Sequence, residues 1–277
     1  MASLLEGSAF VTGAASGIGE KTAYAFAKYG ISKLAIADIN LEGLQTVAAN
    51  LQKEWPDIEV LTLKIDVRKA EEVKSGLAQV VSNFGRLDVA VNNAGISGKV
   101  ARVHELEEAD WNDVLNINLT GVHLCQKEEL AIMVNQEYHQ LLTLAARDLG
   151  VRRGRGAIIN VSSMYGVVGP LFPIHQTAYS AAKHAVVGMT KADASSYAGT
   201  NIRINAICPG YIETPMIKGG TASLVQGHPL HSHVQNTPLK RLGLPEEIAD
   251  SIVFLASPLS SYVNGFGLVA DGGYTGC

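Results

Sequence analysis

The sequence predicts a single α/β domain in which helices cover both faces of a parallel sheet. Short apolar runs alternate with segments of helical periodicity along the chain, which is typical of parallel strands and their crossover helices. The first strand is followed by a glycine-rich turn and then a helix. The 277 residues are 47% hydrophobic and contain no repeat, low-complexity tract or linker, so we expect residues 1–277 to form one domain.

Each predicted strand is a short apolar run between stretches of helical pattern. The predicted strands are 8–12, 33–38, 58–65, 87–91, 157–161, 202–207 and 268–270. The first helix carries Ala23, Phe26 and Ala27 on one face and stops at Gly30, and the second covers 41–55 and ends before Pro56. The later predicted helices are 70–84, a long region 109–146, and a helix that carries Tyr179 and ends near 197.

Two stretches fit this alternation less well. Residues 135–155 carry Arg147, Arg152, Arg153 and Arg155, which indicates either a basic patch for a partner or, as we favour, a solvated surface excursion. Residues 218–238 are polar and rich in Gly and His, and we interpret them as a mobile flap. His228, His231 and His233 lie there without acidic or cysteine companions, so we predict no metal site.

Composition argues against several classes of partner. The net charge of −4 gives no reason to expect nucleic acid or an acidic membrane surface, and no apolar run is long enough to span a bilayer. The three cysteines are odd in number and have no metal-ligand spacing, which indicates reduced thiols. The first residues have no basic region or long apolar segment typical of a secretion signal. We therefore expect a cytoplasmic protein.

A glycine turn joins the first strand to the first helix at Gly13, Gly17 and Gly19. Backbone N–H groups at a helix N-terminus bind phosphate, although the spacing would also suit a tight connection without a ligand. Asp38 ends the second strand, where a carboxylate can accept hydrogen bonds from a ribose 2′-hydroxyl and repels a 2′-phosphate. The residues therefore favour NAD over NADP, and Asp38 has the alternative role of capping the next helix.

Tyr179 and Lys183 are four residues apart on a predicted helix, so their side chains share one face. An ammonium beside a phenol favours the phenolate and is expected to lower the pKa of the tyrosine, which suits proton transfer. The plainer alternative is two unrelated residues on a solvated helix. Ser162 and Ser163, which end the apolar run just before this helix, favour the first interpretation.

These residues together resemble the short-chain dehydrogenase/reductase family, over essentially the whole chain. The turn Thr12-Gly13-xxx-Gly17-x-Gly19 resembles its cofactor turn, Asn92-Asn-Ala-Gly95 its motif after the fourth strand, and Tyr179-xxx-Lys183 its catalytic pair. The resemblance implies a Rossmann-like sheet of seven parallel strands, an NAD cofactor, and a homodimer or homotetramer packed through the long helices. Two departures concern pocket shape and assembly: the Ser163–Tyr179 segment and the 135–155 excursion are longer than usual.

The resemblance also assigns roles to individual residues. It implies a catalytic set of Asn118, Ser163, Tyr179 and Lys183. The implied cofactor-binding residues are Gly13, Ser16, Gly17, Ile18, Gly19, Asp38, Ile39, Asp66, Val67, Asn93, Ala94, Gly95, Tyr179, Lys183, Pro209, Gly210, Ile212, Thr214 and Met216. The substrate residues that it implies are Ser163, Met164, Phe172, His175 and Tyr211.

The expected activity is oxidation of a secondary hydroxyl to a ketone. Tyr179 would take the hydroxyl proton, Ser163 would orient the substrate oxygen and Lys183 would stabilise the phenolate. The implied pocket is mostly apolar, so we expect an uncharged apolar alcohol or ketone of terpenoid, steroid-like or polyketide type. Two alternatives remain open: a carbonyl reductase working in the opposite direction, and an NAD-binding sensor or scaffold without turnover.

Overall fold

A computed structural model describes residues 3–137, 152, 154–217 and 230–276 of the chain. Its centre is a sheet of seven parallel strands in the order β3-β2-β1-β4-β5-β6-β7, which confirms the predicted fold class. The strands are β1 Ser8–Thr12, β2 Lys33–Asp38, β3 Glu59–Lys64, β4 Val89–Asn92, β5 Gly156–Val161, β6 Ile202–Pro209 and β7 Gly267–Ala270.

Helices cover both faces of the sheet. The α-helices are α1 Gly17–Lys28, α2 Leu41–Glu54, α3 Ala70–Phe84, α4 Glu108–Leu115, α5 Val122–Met133, α6 Thr177–Tyr197, α7 His231–Asn236 and α8 Pro245–Ala256. Alternate strand residues face opposite layers: Val11 on β1 packs with α1, α2 and α8, whereas its neighbour Phe10 packs with α3 and α5. None of the helices in the described part of the chain is long and apolar enough to cross a bilayer.

The strand order places the functional end of the sheet. Because β1 lies between β2 and β4, the chain winds outward in one direction through β3 and in the other through β7. Connections leave the carboxyl ends of β1 and β4 toward opposite sides, which opens a crevice there of the kind that binds ligands in open α/β sheets. The glycine turn follows β1, and the Asn93–Gly95 segment follows β4.

The helical region predicted over 109–146 is confirmed as far as Met133, but it is not one regular α-helix. Residues Asn116–Gly121 form a π-helix between α4 and α5, and α5 ends at Met133. The chain turns there because the Gln136 side chain bonds the backbone of Leu87, accepting from its N–H at 3.1 Å and donating to its carbonyl at 2.8 Å. The rest of the predicted helix lies outside the described residues.

The two irregular stretches are described only in part. Arg155 donates to the Val134 carbonyl at 2.6 Å and Arg152 to the Pro258 carbonyl at 3.1 Å, so these two cations bind backbone within the protein. Arg147 and Arg153 lie outside the described residues. In the stretch predicted as a flap, residues 218–229 likewise lie outside them, and the following residues form the short helix α7.

Helix α8 was missed by the sequence analysis, although its start carries a signal. Pro245 occupies the first turn, where its missing N–H costs nothing. Glu247 accepts a hydrogen bond from the Leu244 N–H at 2.7 Å and is paired with Arg241, which together lower the pKa of Glu247 to about 2.

Candidate active site

In the glycine turn after β1, the backbone packs closely against itself and against the segment at Asn93 and Ala94. Gly13 has φ 64°, and a Cβ atom there would lie 2.8 Å from Asn93 Nδ2. A Cβ at Gly19 would lie 2.2 Å from the Gly13 carbonyl oxygen. No side chain fits at either position without displacing backbone, so the turn requires glycine for its own geometry.

Thr12 fastens the turn to the segment after β4. Its Oγ1 accepts hydrogen bonds from the backbone N–H of Asn93 at 3.0 Å and of Ala94 at 3.1 Å. The Asn93 side chain donates in return to the carbonyls of Thr12 at 3.0 Å and Gly13 at 3.1 Å. The turn and the Asn93–Gly95 segment are therefore one unit at the crevice.

The residues at the start of α1 fit a dinucleotide phosphate. Ser16 is the N-cap of α1, has an extended φ of −164°, is exposed, and makes no side-chain capping bond. Gly17 and Ile18 follow as the first helical residues, whose N–H groups point out of the helix end. A glycine cradle that a Cβ would fill, at the N-terminus of a three-turn helix, suits the pyrophosphate of a nicotinamide cofactor.

Asp38 joins the carboxyl end of β2 to this turn. Its Oδ2 accepts from the Ala15 N–H at 3.1 Å and its Oδ1 accepts from the Asn40 N–H at 3.0 Å. The capping residue of α2 is Asn40, whose Oδ1 accepts from the Gly43 N–H at 3.1 Å, so the alternative role of Asp38 as a helix cap is wrong. Asp38 stays half-buried and Ile39 beside it is 63% exposed.

Asp66 and Val67 follow β3 and have different surroundings. Asp66 is held by both ends of the Arg68 guanidinium, at 2.9 Å and 2.8 Å, and this hydrogen bonding lowers the pKa of the carboxyl. Val67 is buried against Gly121 of the π-helix, where a Cβ would lie 2.7 Å from a Val67 methyl group. The sequence analysis missed Arg68, which fixes the orientation of Asp66.

Ser163 and Tyr179 come together at the carboxyl end of β5. The Ser163 hydroxyl lies near enough to the phenol to act against the rise in the Tyr179 pKa that burial causes. Ser163 Oγ also accepts from the backbone N–H of Tyr165 at 3.1 Å, which fixes the rotamer of the serine. Tyr179 lies in the first turn of α6 and packs beside Val114 and Ala182.

Lys183 lies one turn further along α6 and is buried. Its Nζ donates to the Val161 carbonyl at 2.7 Å and lies 5.6 Å from the centre of the Tyr179 ring. Ser162 Oγ donates to the Lys183 carbonyl at 2.9 Å, which ties the helix to the end of β5. The two serines thus differ: Ser162 positions α6, and Ser163 faces the phenol.

Asn118 occupies the π-helix and pins the loop after β4. It is fully buried, its Oδ1 accepts from the Ile96 N–H at 2.8 Å, and its Nδ2 donates to the Ile96 carbonyl at 2.8 Å. A Cβ at Gly95 would lie 3.2 Å from Asn118 Oδ1 and 3.7 Å from Lys183 Nζ. The segment after β4 therefore packs close to Asn118 and Lys183 at Gly95. π-Helical turns are frequent at functional sites.

The expected lowering of the Tyr179 pKa is wrong for the protein's own groups. Burial raises the pKa of Tyr179, and the Ser163 hydroxyl opposes that rise. Burial lowers the pKa of Lys183 to about 8. The reason is geometric: the ammonium is bonded to the Val161 carbonyl and sits under the ring rather than at the phenol oxygen.

The segment after β6 reaches back to the glycine turn. Pro209 ends β6, and Gly210 is packed so closely on Asp271 that a Cβ would lie 2.7 Å from its Cα. Ile212 is buried, and Thr214 lies over Gly17, where a Cβ would be 3.4 Å from the Thr214 methyl group. Met216 is 44% exposed. This placement suits a segment that would cover a bound nicotinamide.

The predicted substrate residues do not all come together. Met164 is 1% exposed, so its assignment to the pocket is corrected: it is a core residue that no substrate reaches in this structure. Phe172 is 79% exposed and stacks edge-on with His175, with 6.0 Å between ring centres. Tyr211 belongs to a different cluster, described next.

An aromatic cluster whose member Tyr165 interacts electrostatically with Tyr179 is only partly visible in the sequence. The hydroxyls of Tyr165 and Tyr211 are 2.5 Å apart, and the Tyr274 hydroxyl lies 3.1 Å from His233 Nδ1. Tyr211 meets Tyr274 edge-on at 5.5 Å between centres. Burial raises the pKa of Tyr165 to about 12 and lowers the pKa of His233, so the cluster is neutral. No spacing signal connects residues this far apart in the chain.

Comparison with known proteins gives matches along nearly the whole chain. Residues 13–275 match the protein family described as enoyl-(acyl carrier protein) reductase. The chain is 38% identical to short-chain dehydrogenase fogB of Aspergillus ruber, covering 98% of this chain and 97% of that one. It is 40% identical to cis-4-hydroxycyclohexanecarboxylate dehydrogenase of Sinomonas cyclohexanicum, covering 96% of each. The crystal structure of levodione reductase is similar with a TM-score of 0.85, 35% identity and 98% coverage of both chains.

Proposed function

The chain belongs to the short-chain dehydrogenase/reductase family, and we propose that it oxidises a secondary alcohol on an apolar small molecule to a ketone with NAD. Membership of the family makes it an oxidoreductase with a nicotinamide cofactor. The observation that carries the rest of the proposal is the position of Gly95, where an added Cβ would lie 3.2 Å from Asn118 Oδ1 and 3.7 Å from Lys183 Nζ. It brings Lys183 of the proposed proton-transfer pair close to the Asn93–Gly95 segment, which is hydrogen-bonded to the glycine turn.

The proposed chemistry divides between the cofactor and the chain's own residues. Bound NAD supplies the hydride acceptor and a positive ring. The alcohol oxygen would accept a hydrogen bond from Ser163, whose Oγ is fixed by the Tyr165 N–H. Tyr179 would take the hydroxyl proton as general base. In the reverse direction the same phenol returns the proton to the ketone oxygen.

Lys183 and Asn118 would support the phenol. The raised pKa of Tyr179 means that the protein alone keeps the phenol protonated, so a cation is needed to favour the phenolate. Lys183 is the nearest candidate, and its pKa of about 8 lets it pass between charged and neutral forms near neutral pH. Asn118 holds the loop at Ile96 through two hydrogen bonds. We propose that it thereby keeps this loop against Tyr179 and Lys183 and helps to position a water.

Asp38 supports the proposed preference for NAD. Its two oxygens are fixed by two N–H groups, that of Ala15 in the glycine turn and that of Asn40 just after β2. A carboxylate held at this place can accept from a ribose 2′-hydroxyl through its remaining lone pairs and repels a 2′-phosphate.

The proposed substrate is an uncharged cyclic alcohol. The neutral Tyr165–Tyr211–Tyr274–His233 cluster, whose Tyr165 interacts electrostatically with Tyr179, offers aromatic surface and hydroxyl groups, which suit a ring with few polar substituents. The relative named for 4-hydroxycyclohexanecarboxylate supports a saturated six-membered ring as the first compound to test. Terpenoid, steroid-like and polyketide alcohols with fused rings come next.

The experiment is a rate measurement at the absorbance of the reduced nicotinamide. The purified protein is given NAD or NADP with a panel of cyclic alcohols, and reduced cofactor with the matching ketones. We expect turnover with NAD, and we expect Asp38→Ser to weaken NAD binding and to strengthen NADP binding. Tight cofactor binding without turnover on any compound would favour the sensor or scaffold alternative. An unchanged cofactor preference in Asp38→Ser would contradict the role of Asp38.

A further inference from the structure

A chain of buried polar side chains runs beneath the active site, and the proposed reaction does not use it. It connects α6, α5, β5 and β4 through Asp193, Gln126, Asn160, Asn92 and Glu129. Gln126, Asn160, Asn92 and Glu129 are each at most 2% exposed. Every hydrogen-bonding atom in such a place needs a partner, because water does not reach it.

The donor and acceptor of each hydrogen bond in this series of side chains can be assigned by starting from Asp193. The Asp193 carboxylate can only accept, so the Gln126 amide nitrogen donates to it, at 2.5 Å. Gln126 Oε1 is then the acceptor, and it receives the Asn160 Nδ2–H at 2.7 Å. Asn160 Nδ2 also donates to the Thr190 hydroxyl at 2.9 Å, which can accept that bond.

The orientation of the Asn92 side-chain amide follows from that of Asn160. Asn160 Oδ1 must accept, and it receives Asn92 Nδ2 at 3.0 Å. The same Nδ2 donates its second hydrogen to Glu129 Oε2 at 3.0 Å. Two atoms are left over, Asn92 Oδ1 and Glu129 Oε1, and both are buried without a partner. Both are acceptors if Glu129 is ionised, so neither can satisfy the other.

We infer that Glu129 is a neutral carboxylic acid that pairs with Asn92 and thereby positions the carboxyl end of β4, where the cofactor-binding segment begins. A proton on Glu129 Oε1 would turn one of these two leftover acceptors into a donor, which is what Asn92 Oδ1 lacks. Asn92 directly precedes Asn93, which holds the carbonyls of Thr12 and Gly13. Glu129 therefore acts on the cofactor site through Asn92.

The electrostatic surroundings agree with this assignment. The titratable groups beside Glu129 are Cys125 on its own helix and Asp193, which is reached through Gln126. Neither is a cation, and among the described residues no ion pair reaches Glu129. The α3 face that packs on α5 is apolar. Burial raises the pKa of Glu129 from 4.5 to about 8, against the opposing effect of the Asn92 hydrogen bond.

The sign of the pH dependence follows from that rise. Between pH 4.5 and about 8 the folded protein keeps a proton on Glu129 that the unfolded chain has lost. The free energy of unfolding therefore falls as pH rises through this window, by the contribution of one proton. Above about pH 8 the folded acid ionises, Asn92 loses its donor, and cofactor binding should weaken.

The first test needs no activity. The infrared spectrum of the wild-type protein at neutral pH should contain the carbonyl band of a protonated buried carboxyl. Glu129→Gln should lack that band because it has no carboxyl group there, while its amide can act as both donor and acceptor toward Asn92. Glu128→Gln is the matched control: it makes the same substitution at the next residue, a partly exposed glutamate 3.8 Å from Lys127 Nζ, and should keep the band. A wild-type spectrum without the band overturns the inference.

The second test separates positioning from mere stability. Unfolding free energy and the Kd for NADH are measured against pH for the three proteins. Wild type and Glu128→Gln should lose stability from about pH 5 to pH 8 relative to Glu129→Gln. Above pH 8 the Kd should rise about threefold or more in wild type relative to Glu129→Gln. Because all three proteins keep Lys183, its titration cancels in the comparison. Parallel profiles for wild type and Glu129→Gln would refute the positioning role, whatever the substrate is.

Discussion

The half of the site that we propose faces the nucleotide depends on close packing of backbone, whereas the half that we propose faces the substrate is a cluster of side chains. On the nucleotide side, Gly13 and Gly19 leave no room for a Cβ, and Asp38 is held by two N–H groups. On the substrate side, Tyr165, Tyr211 and their neighbours meet only through rings and hydroxyls. Substitutions are poorly tolerated where backbone packs on backbone, whereas the side chains of the tyrosine cluster can be replaced one at a time. The comparison predicts that substitutions will act differently in the two halves.

The largest effect is expected where the two halves meet, at Tyr179→Phe. Loss of the hydroxyl should lower kcat by about 10²–10⁴-fold, the usual worth of a positioned general base. The ring keeps its packing beside Val114 and Ala182, so cofactor affinity and Tm should stay close to wild type. Normal turnover by this variant would refute the proposed mechanism, because Tyr179 would then not be the general base.

The next largest effect is expected from Met164→Ala, which tests whether Met164 is a core residue or lines the substrate pocket. Met164 is fully buried, so the variant should lose about 2–5 kcal/mol of unfolding free energy by leaving a cavity. Urea unfolding measures this, and KM on the folded fraction should stay unchanged. A large change in KM at nearly unchanged stability would return Met164 to the pocket, as the sequence first suggested.

A pair of helical glycines tests the backbone half. Gly19→Ala places a Cβ 2.2 Å from the Gly13 carbonyl and should weaken NADH binding by about tenfold or more, since overpacking costs about 1–3 kcal/mol. Gly188→Ala, in α6 with open space around it, should leave binding unchanged and raise stability by about 0.5–1 kcal/mol. Equal fluorescence titrations for the two variants would contradict a backbone-built site.

The smallest effect is expected at Phe172→Ala. The ring is 79% exposed and contacts His175 rather than the Tyr211 cluster, so stability should change by less than about 0.5 kcal/mol. KM for a cyclic alcohol should remain within about threefold of wild type, a difference below 1 kcal/mol. A much higher KM would mean that Phe172 closes over bound substrate and belongs to the substrate half after all.

Local patterns predicted most of the fold because their causes are local. The alternation of apolar strands and helices predicted all seven strands, and α3 has the predicted bounds of 70–84. The helical region predicted over 109–146 holds to Met133, but its π-helix and its end were not predicted. Asn118 in the π-helix bonds to Ile96, and Gln136 after the end bonds to Leu87, so both depend on residues more than twenty positions away. Helix α8 was missed despite Pro245 and Glu247 at its start.

The sequence by itself determined the parallel sheet, the glycine turn and the shared face of Tyr179 and Lys183. Each of these follows from the strand or helix period and from the conformational freedom of glycine. The tertiary structure alone decided that the Tyr179 pKa rises, that Met164 is core, that the tyrosines and His233 cluster, and that Glu129 faces Asn92. Burial and hydrogen-bond pairing depend on which distant segments pack together, and no local spacing encodes that.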